Sequence, residues 1–187
     1  MKDLTSTPFG YVIAFFLPGV LGLYALSFWF PQASVLLQPV LKADATVGPS
    51  LVFLLIAAGM GLCLSAVRFF VFEKFICKKH HLPPNMFSQL AAEGKLTAFR
   101  AVVDEHYRYH QFYGGCAVAV GILFTGWLHQ HLVLDWQLGY VSLGFVLTEL
   151  VLGSAGYDTF KQYVARGSTV VRGATSEIKT HSKEPLG

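Results

Sequence analysis

The stretch FGYVIAFFLPGVLGLYALSFWF, residues 9–30, carries no charged side chain in 22 positions. As a helix it would extend roughly 33 Å at 1.5 Å per residue, enough to cross the ~30 Å hydrocarbon core of a bilayer. A cleaved secretory signal is the rival reading. Its apolar region is shorter, about 7–15 residues, and a small-residue cleavage site follows closely. Here the Ala43-Asp44-Ala45 pattern lies far downstream, so the stretch is expected to stay as a membrane span.

Working outward from it, similar stretches run from about 50 to 72, 112 to 134 and 136 to 157. The expected fold class is an all-α integral membrane protein. Its single membrane domain over 1–187 is a four-transmembrane-helix bundle, with a helical connection at 73–111 and a flexible Gly-, Ser- and Thr-rich tail at 166–187. Composition agrees, since 53% of residues are apolar and 13% are charged, about half the usual quarter for a soluble domain.

Charge distribution orients the bundle. Of fourteen Lys and Arg, thirteen fall on one side of the four stretches and only Lys42 on the other. Basic segments are retained in the cytoplasm, which predicts both termini inside. The expected location is a bacterial inner membrane, with membrane lipids as immediate partners. The net charge of +3 is spread along span ends rather than gathered in a patch, which argues against nucleic acid as a partner. Cys63, Cys77 and Cys116 make no Cys-x-x-Cys and are read as reduced, small, buried residues.

Between the first two stretches, Pro31, Pro39 and Gly48 are expected to break any helix and leave a loop. A very short connection around Asp135 predicts a tight hairpin. Inside, Lys74, Lys78 and Lys79 would anchor the second span at anionic headgroups. Pro83-Pro84 stops any helix there, and Asn85 can cap a short one ended by Gly94. From Thr97 a second helix is expected to run into the third span. Leu96, Phe99, Val103, Tyr107 and His110 recur every three or four residues as one greasy, aromatic stripe. That stripe either packs on headgroups and the chain's own helices or docks another protein. Arg100, Asp104, Glu105 and Arg108 lie opposite, with Arg100 and Asp104 at ion-pair spacing.

Glu149 falls near mid-membrane, where an ionised side chain costs roughly 3 kcal/mol. It is expected to be protonated, paired, or turned into the bundle, and Arg68 is the candidate partner. Two rows of small residues, Ala57, Gly61 and Ser65 on one span and Ala117, Gly121 and Thr125 on the next, allow close helix contact. Each row serves either the bundle or a homo-oligomer. Pro18-Gly19 predicts a kink with a freed carbonyl, and Gly114-Gly115 a bend where the third span begins.

Histidines raise the one enzyme hypothesis. His106 and His110 share a helix face, as metal ligands require, and His80-His81 lie nearby. There is no His-x-x-His-His box, no His-Glu-x-x-His motif, no phosphate-binding Gly loop and no Gly-x-Ser-x-Gly elbow. No cofactor is therefore expected. The functional expectation is a non-enzymatic oligomeric subunit that senses, anchors or regulates and engages a soluble cytoplasmic partner. By class-level analogy alone, small membrane subunits of bacterial stress or phage-defence systems have this shape. A small channel or transporter using Glu149 and Arg68 is second, and a histidine-liganded metalloenzyme third.

Overall fold

The computed structural model describes residues 12–41, 47–76, 95–131 and 137–181, and side chains within slightly narrower bounds. Lys78, Lys79, His80, His81, the prolines at 83 and 84 and the turn at Asp135 lie outside the described residues. Within them, the chain is all helix and turn with no strand. Three helical segments, Val47–Lys74, Leu96–Gln130 and Gly139–Val170, are long and apolar enough to cross a membrane. A shorter apolar segment, Ala14–Ser27, is packed against two of them.

That shorter segment belongs to α1, residues 12–27. It opens as a π turn, Val12–Phe16, and continues as α-helix, Leu17–Ser27. Pro18 has no N–H to donate to the carbonyl four residues back, so the regular ladder cannot pass it. The widened turn falls just before this proline, where the sequence predicts a kink. Gly19 then brings the backbones of two helices together. A Cβ at Gly19 would collide with the Ala57 carbonyl oxygen, and one at Gly61 with the Phe15 carbonyl oxygen. The row through Ala57 and Gly61 is thus filled by α1.

α1 closes at Ser27, where the Phe28 and Trp29 N–H groups bond the carbonyls of Ala25 and Leu26. The expected loop is corrected over its first part, residues 42–46 lying outside the described residues: α2 is the helix Pro31–Leu41. Pro31 opens it, and a proline at the first position lacks only an N–H that has no helical partner. Pro39 sits in the last turn, where it removes one bond rather than dividing the helix. Gly48 lies in the first turn of the next helix. Leu37 packs with Leu23, Phe53 and Ala57 in a small apolar core, so α2 folds back on the bundle. Burial outweighs weak propensity here.

α3, residues 47–76, is α-helical over Val47–Arg68 and π-helical over Phe69–Ile76. α4, residues 95–130, runs as Lys95–Val102, a π turn Val103–Tyr107, and Arg108–Gln130. α5, Gln137–His181, has 45 residues and would measure roughly 68 Å. The stretch from Arg166, flexible by composition, continues this helix to His181. Its backbone hydrogen bonds close locally, so Gly, Ser and Thr lower propensity there without ending the helix. Within Arg108–Gln130 the helix passes Gly114-Gly115 without interruption. These glycines admit neighbours instead: a Cβ at Gly114 would lie 2.7 Å from the Arg68 stem, and one at Gly115 would lie 3.1 Å from Pro18.

At the end of the bundle remote from Arg68, Trp29 donates its indole N–H to the Ile122 carbonyl at 3.2 Å, and Gln130 donates to the Phe28 carbonyl at 2.6 Å. Trp29 stacks on His129 there, and Trp127 meets Phe145. At the opposite, basic end, Phe99 packs with Val103, Tyr163 and Val170, which holds the polar ends of α4 and α5 together.

Candidate functional site

Among the described residues, the polar chemistry inside the bundle is most concentrated where α3, α4 and α5 meet at the basic end. Arg68 is 2% exposed and donates from Nη1 to Glu73 Oε1 at 3.0 Å. The Tyr107 hydroxyl donates to the same oxygen at 3.2 Å. The guanidinium carbon stands 5.8 Å from the Tyr107 ring centroid, within cation–π range. His110, fully buried, places Nδ1 2.7 Å from the Gly156 carbonyl oxygen. A carbonyl only accepts, so Nδ1 carries the hydrogen. The other ring nitrogen, Nε2, has no hydrogen-bond partner and stands 3.9 Å from Glu73 Oε1. Phe72 and Phe160 close over the imidazole with centroids at 6.1 and 4.8 Å.

Backbone geometry explains why Arg68 finds Glu73. Residues five apart lie on different faces of an α-helix. In a π turn the i to i+5 bond stacks them one above the other, and the π segment begins at Phe69, immediately after Arg68. Another π turn, Val103–Tyr107, carries Tyr107, whose hydroxyl reaches that carboxylate. Two widened turns therefore meet at one carboxylate. The result is a latch joining three helices.

The residues expected to form one intramembrane pair are separated. Arg68 is held by Glu73, and Glu149 lies elsewhere, on the stretch of α5 nearer the other end. From Glu149 to the latch carbonyl at Gly156 is seven residues, roughly 10 Å along the helix. Glu149 Oε1 is screened from solvent and has no hydrogen-bond partner. It borders an open groove with a cavity volume of about 870 Å³ between α3, α4 and α5. Ala117, Gly121 and Thr125, the second small-residue row, form one wall of that groove. A Cβ on Gly121 would lie 3.5 Å from Glu149 Oε1.

The aromatic stripe offered as a docking face is used within the chain. Phe99 is buried against Val103, Tyr163 and Val170, and Tyr107 lies 5.0 Å from Tyr163 between ring centroids. The side chains of α5 satisfy an apolar stripe that the sequence could assign only by period. On the outer face, Asp104 pairs with Arg108 at 2.7 Å rather than with Arg100, and Arg166 of α5 reaches Glu105 at 3.3 Å. Lys74 places its ammonium 5.5 Å from the Phe70 ring centroid. His106 is buried, with Nε2 lacking a hydrogen-bond partner, and His110 has one nitrogen committed to a carbonyl. Among the described residues no three His, Cys, Asp or Glu side chains come together as a metal-binding group.

Glu73 and Gly156 were missed by sequence reasoning. The first hides at a spacing that means nothing on an α-helix, and the second contributes only a carbonyl. No family model, curated protein or solved structure matches the chain.

Proposed function

We propose that this protein is a non-enzymatic subunit of a bacterial inner membrane, a four-span bundle that works as a homo-oligomer to sense, anchor or regulate. Both termini lie in the cytoplasm, where the paired ends of α4 and α5 are presented to a soluble partner. One observation carries this reading. α4 and α5 run from apolar stretch to polar end without a loop, and the latch ties them to α3 at the transition. A displacement among the apolar helices is then transmitted along the helices to the polar ends. The first apolar stretch completes the fourth span, and thirteen basic residues against one set the orientation.

The channel reading is less well supported. A conducting path needs polar groups along one axis, whereas Arg68 is neutralised locally and Glu149 borders a side groove.

Proteoliposome flux and crosslinking test the proposal together. The reconstituted protein should pass no ions above the lipid background and should crosslink as a discrete oligomer. Steady conductance would replace this reading with a channel. Reporter fusions after Leu41 and after Gly94 should report outside and inside respectively, and an inside signal at Leu41 would reverse the orientation.

A further inference from the structure

We propose that the groove between α3, α4 and α5 binds a hydrophobic organic cation, with Glu149 as its counter-ion. This site would stand whether the protein regulates or conducts, so it goes beyond the function proposed above. The groove's volume, about 870 Å³, falls within the roughly 300–1,000 Å³ of small-molecule sites. Its walls are almost wholly apolar: Val67, Val71, Ile122 and Leu150 supply aliphatic surface, and Phe72 and Phe124 supply rings. Against this background three lining residues are polar, namely Thr125, Ser154 and Glu149.

Hydrogen-bond accounting decides what the occupant must bring. Thr125 donates its hydroxyl to the Gly121 and Ile122 carbonyls, and Ser154 donates to the Val151 carbonyl. Their protons are committed, which leaves only lone pairs facing the groove. Glu149 Oε1 has no partner, and its carboxylate, which can only accept once ionised, can be paired by a cation brought from outside the chain. Among the described residues, no Lys, Arg or His lines the cavity. The nearest cation along α3 is Arg68, one residue beyond Val67, and it is already paired with Glu73 at 3.0 Å. The site therefore holds, in apolar surroundings, an acid that only an incoming cation can pair. A lipid tail would fill the space and leave the acid unsatisfied, as would a second copy's apolar helix. A bulky cation satisfies both the volume and the charge, and aromatic walls favour it further through their ring faces.

Gly153 provides a clean probe of the space itself. It lines the groove, and a Cβ there would meet nothing within 4 Å. Gly153→Leu should occlude the cavity while leaving Glu149 and the helix contacts intact.

The test uses tetraphenylphosphonium and tetraphenylborate, ions of nearly equal size and greasiness but opposite charge, in equilibrium dialysis against the full chain in lipid nanodiscs. The phosphonium should bind saturably, and the borate should only partition without saturation. Glu149→Gln and Gly153→Leu should each weaken phosphonium binding at least tenfold, with helical content unchanged by circular dichroism. Saturable binding of both ions alike would overturn the proposal, as would binding that survives Glu149→Gln within a factor of two. No saturable phosphonium binding, with Gly153→Leu altering the oligomer's elution, would reassign the groove as a contact between copies. Should Glu149→Gln fail to fold, Gly153→Leu decides the matter: full phosphonium binding there would also overturn the assignment.

Discussion

The bundle has a packed flank and an open flank, and an ionisable residue behaves differently on each. α4 runs through the packed flank, with 39% of its apolar window buried inside the chain, against 6% for that of α5. Arg68 lies on the packed side, enclosed by α3, α4 and the docked part of α5, and is held by Glu73. Glu149 lies on the exposed run of α5 and has no partner. The lesson concerns commitment: a buried charge fixed by neighbours holds the fold together, while an acid left without a partner beside a cavity is free to act on something else.

Breaking the latch should produce the largest effect. Glu73→Ala strands the Arg68 guanidinium in a buried site, and removing one partner of such a pair costs about 3–5 kcal/mol. The melting temperature in a fixed detergent should fall sharply. Replacing both residues by apolar ones of similar size, Arg68→Met with Glu73→Leu, should recover much of that loss. If the double variant is no better than Glu73→Ala alone, the pair is not acting as a unit.

Two glycine substitutions set the flanks against each other. Gly61→Leu drives a side chain into the Phe15 backbone, where neither helix can yield without separating, and should destabilise the bundle by about 3 kcal/mol. The same substitution at Gly153, on the open side, should change stability by less than about 1 kcal/mol, since a helical glycine itself costs roughly that much. Equal melting temperatures for the two variants would mean that the flanks are not distinct.

A smaller effect is expected at His110. His110→Phe keeps the ring but loses the bond to the Gly156 carbonyl, a net loss of about 1 kcal/mol. That oxygen is also reached by the Thr159 hydroxyl at 3.0 Å, so it is not left bare. Loss of the bond should be visible as faster amide exchange around residues 156–160. Unchanged exchange would show that the imidazole does not pin α5.

The smallest stability change belongs to Glu149→Gln, because no protein group is left stranded when the carboxylate goes. A shift within about 1 kcal/mol is expected, given that this oxygen has no bond to lose. A large drop in melting temperature would place Glu149 with the latch residues instead and remove the contrast between flanks.

Apolar run lengths and the near-absence of charge marked the helices that can cross a membrane. They did so because hydrocarbon leaves the backbone little choice: each polar group must bond within its own segment. Small residues at Ala57 and Gly61 also announced a close crossing, since only a missing side chain lets backbones meet. The sequence alone could not say that α1 is what fills that row. Nor could it say that Pro31 starts a helix rather than a loop, because tertiary burial of Leu37 decides between two allowed uses of proline.

The latch was the least legible part. Periodicity arguments assume 3.6 residues per turn, and Arg68 meets Glu73 only because the turn between them is widened. Pairing Arg68 with Glu149 followed from charge and depth alone, and depth along a helix says nothing about azimuth. Which side of α5 faces α3 is set where Gly156 nests against Phe72 and Gly114 at the basic end. That nesting is a three-body packing result among residues far apart in the chain, so no local pattern encodes it.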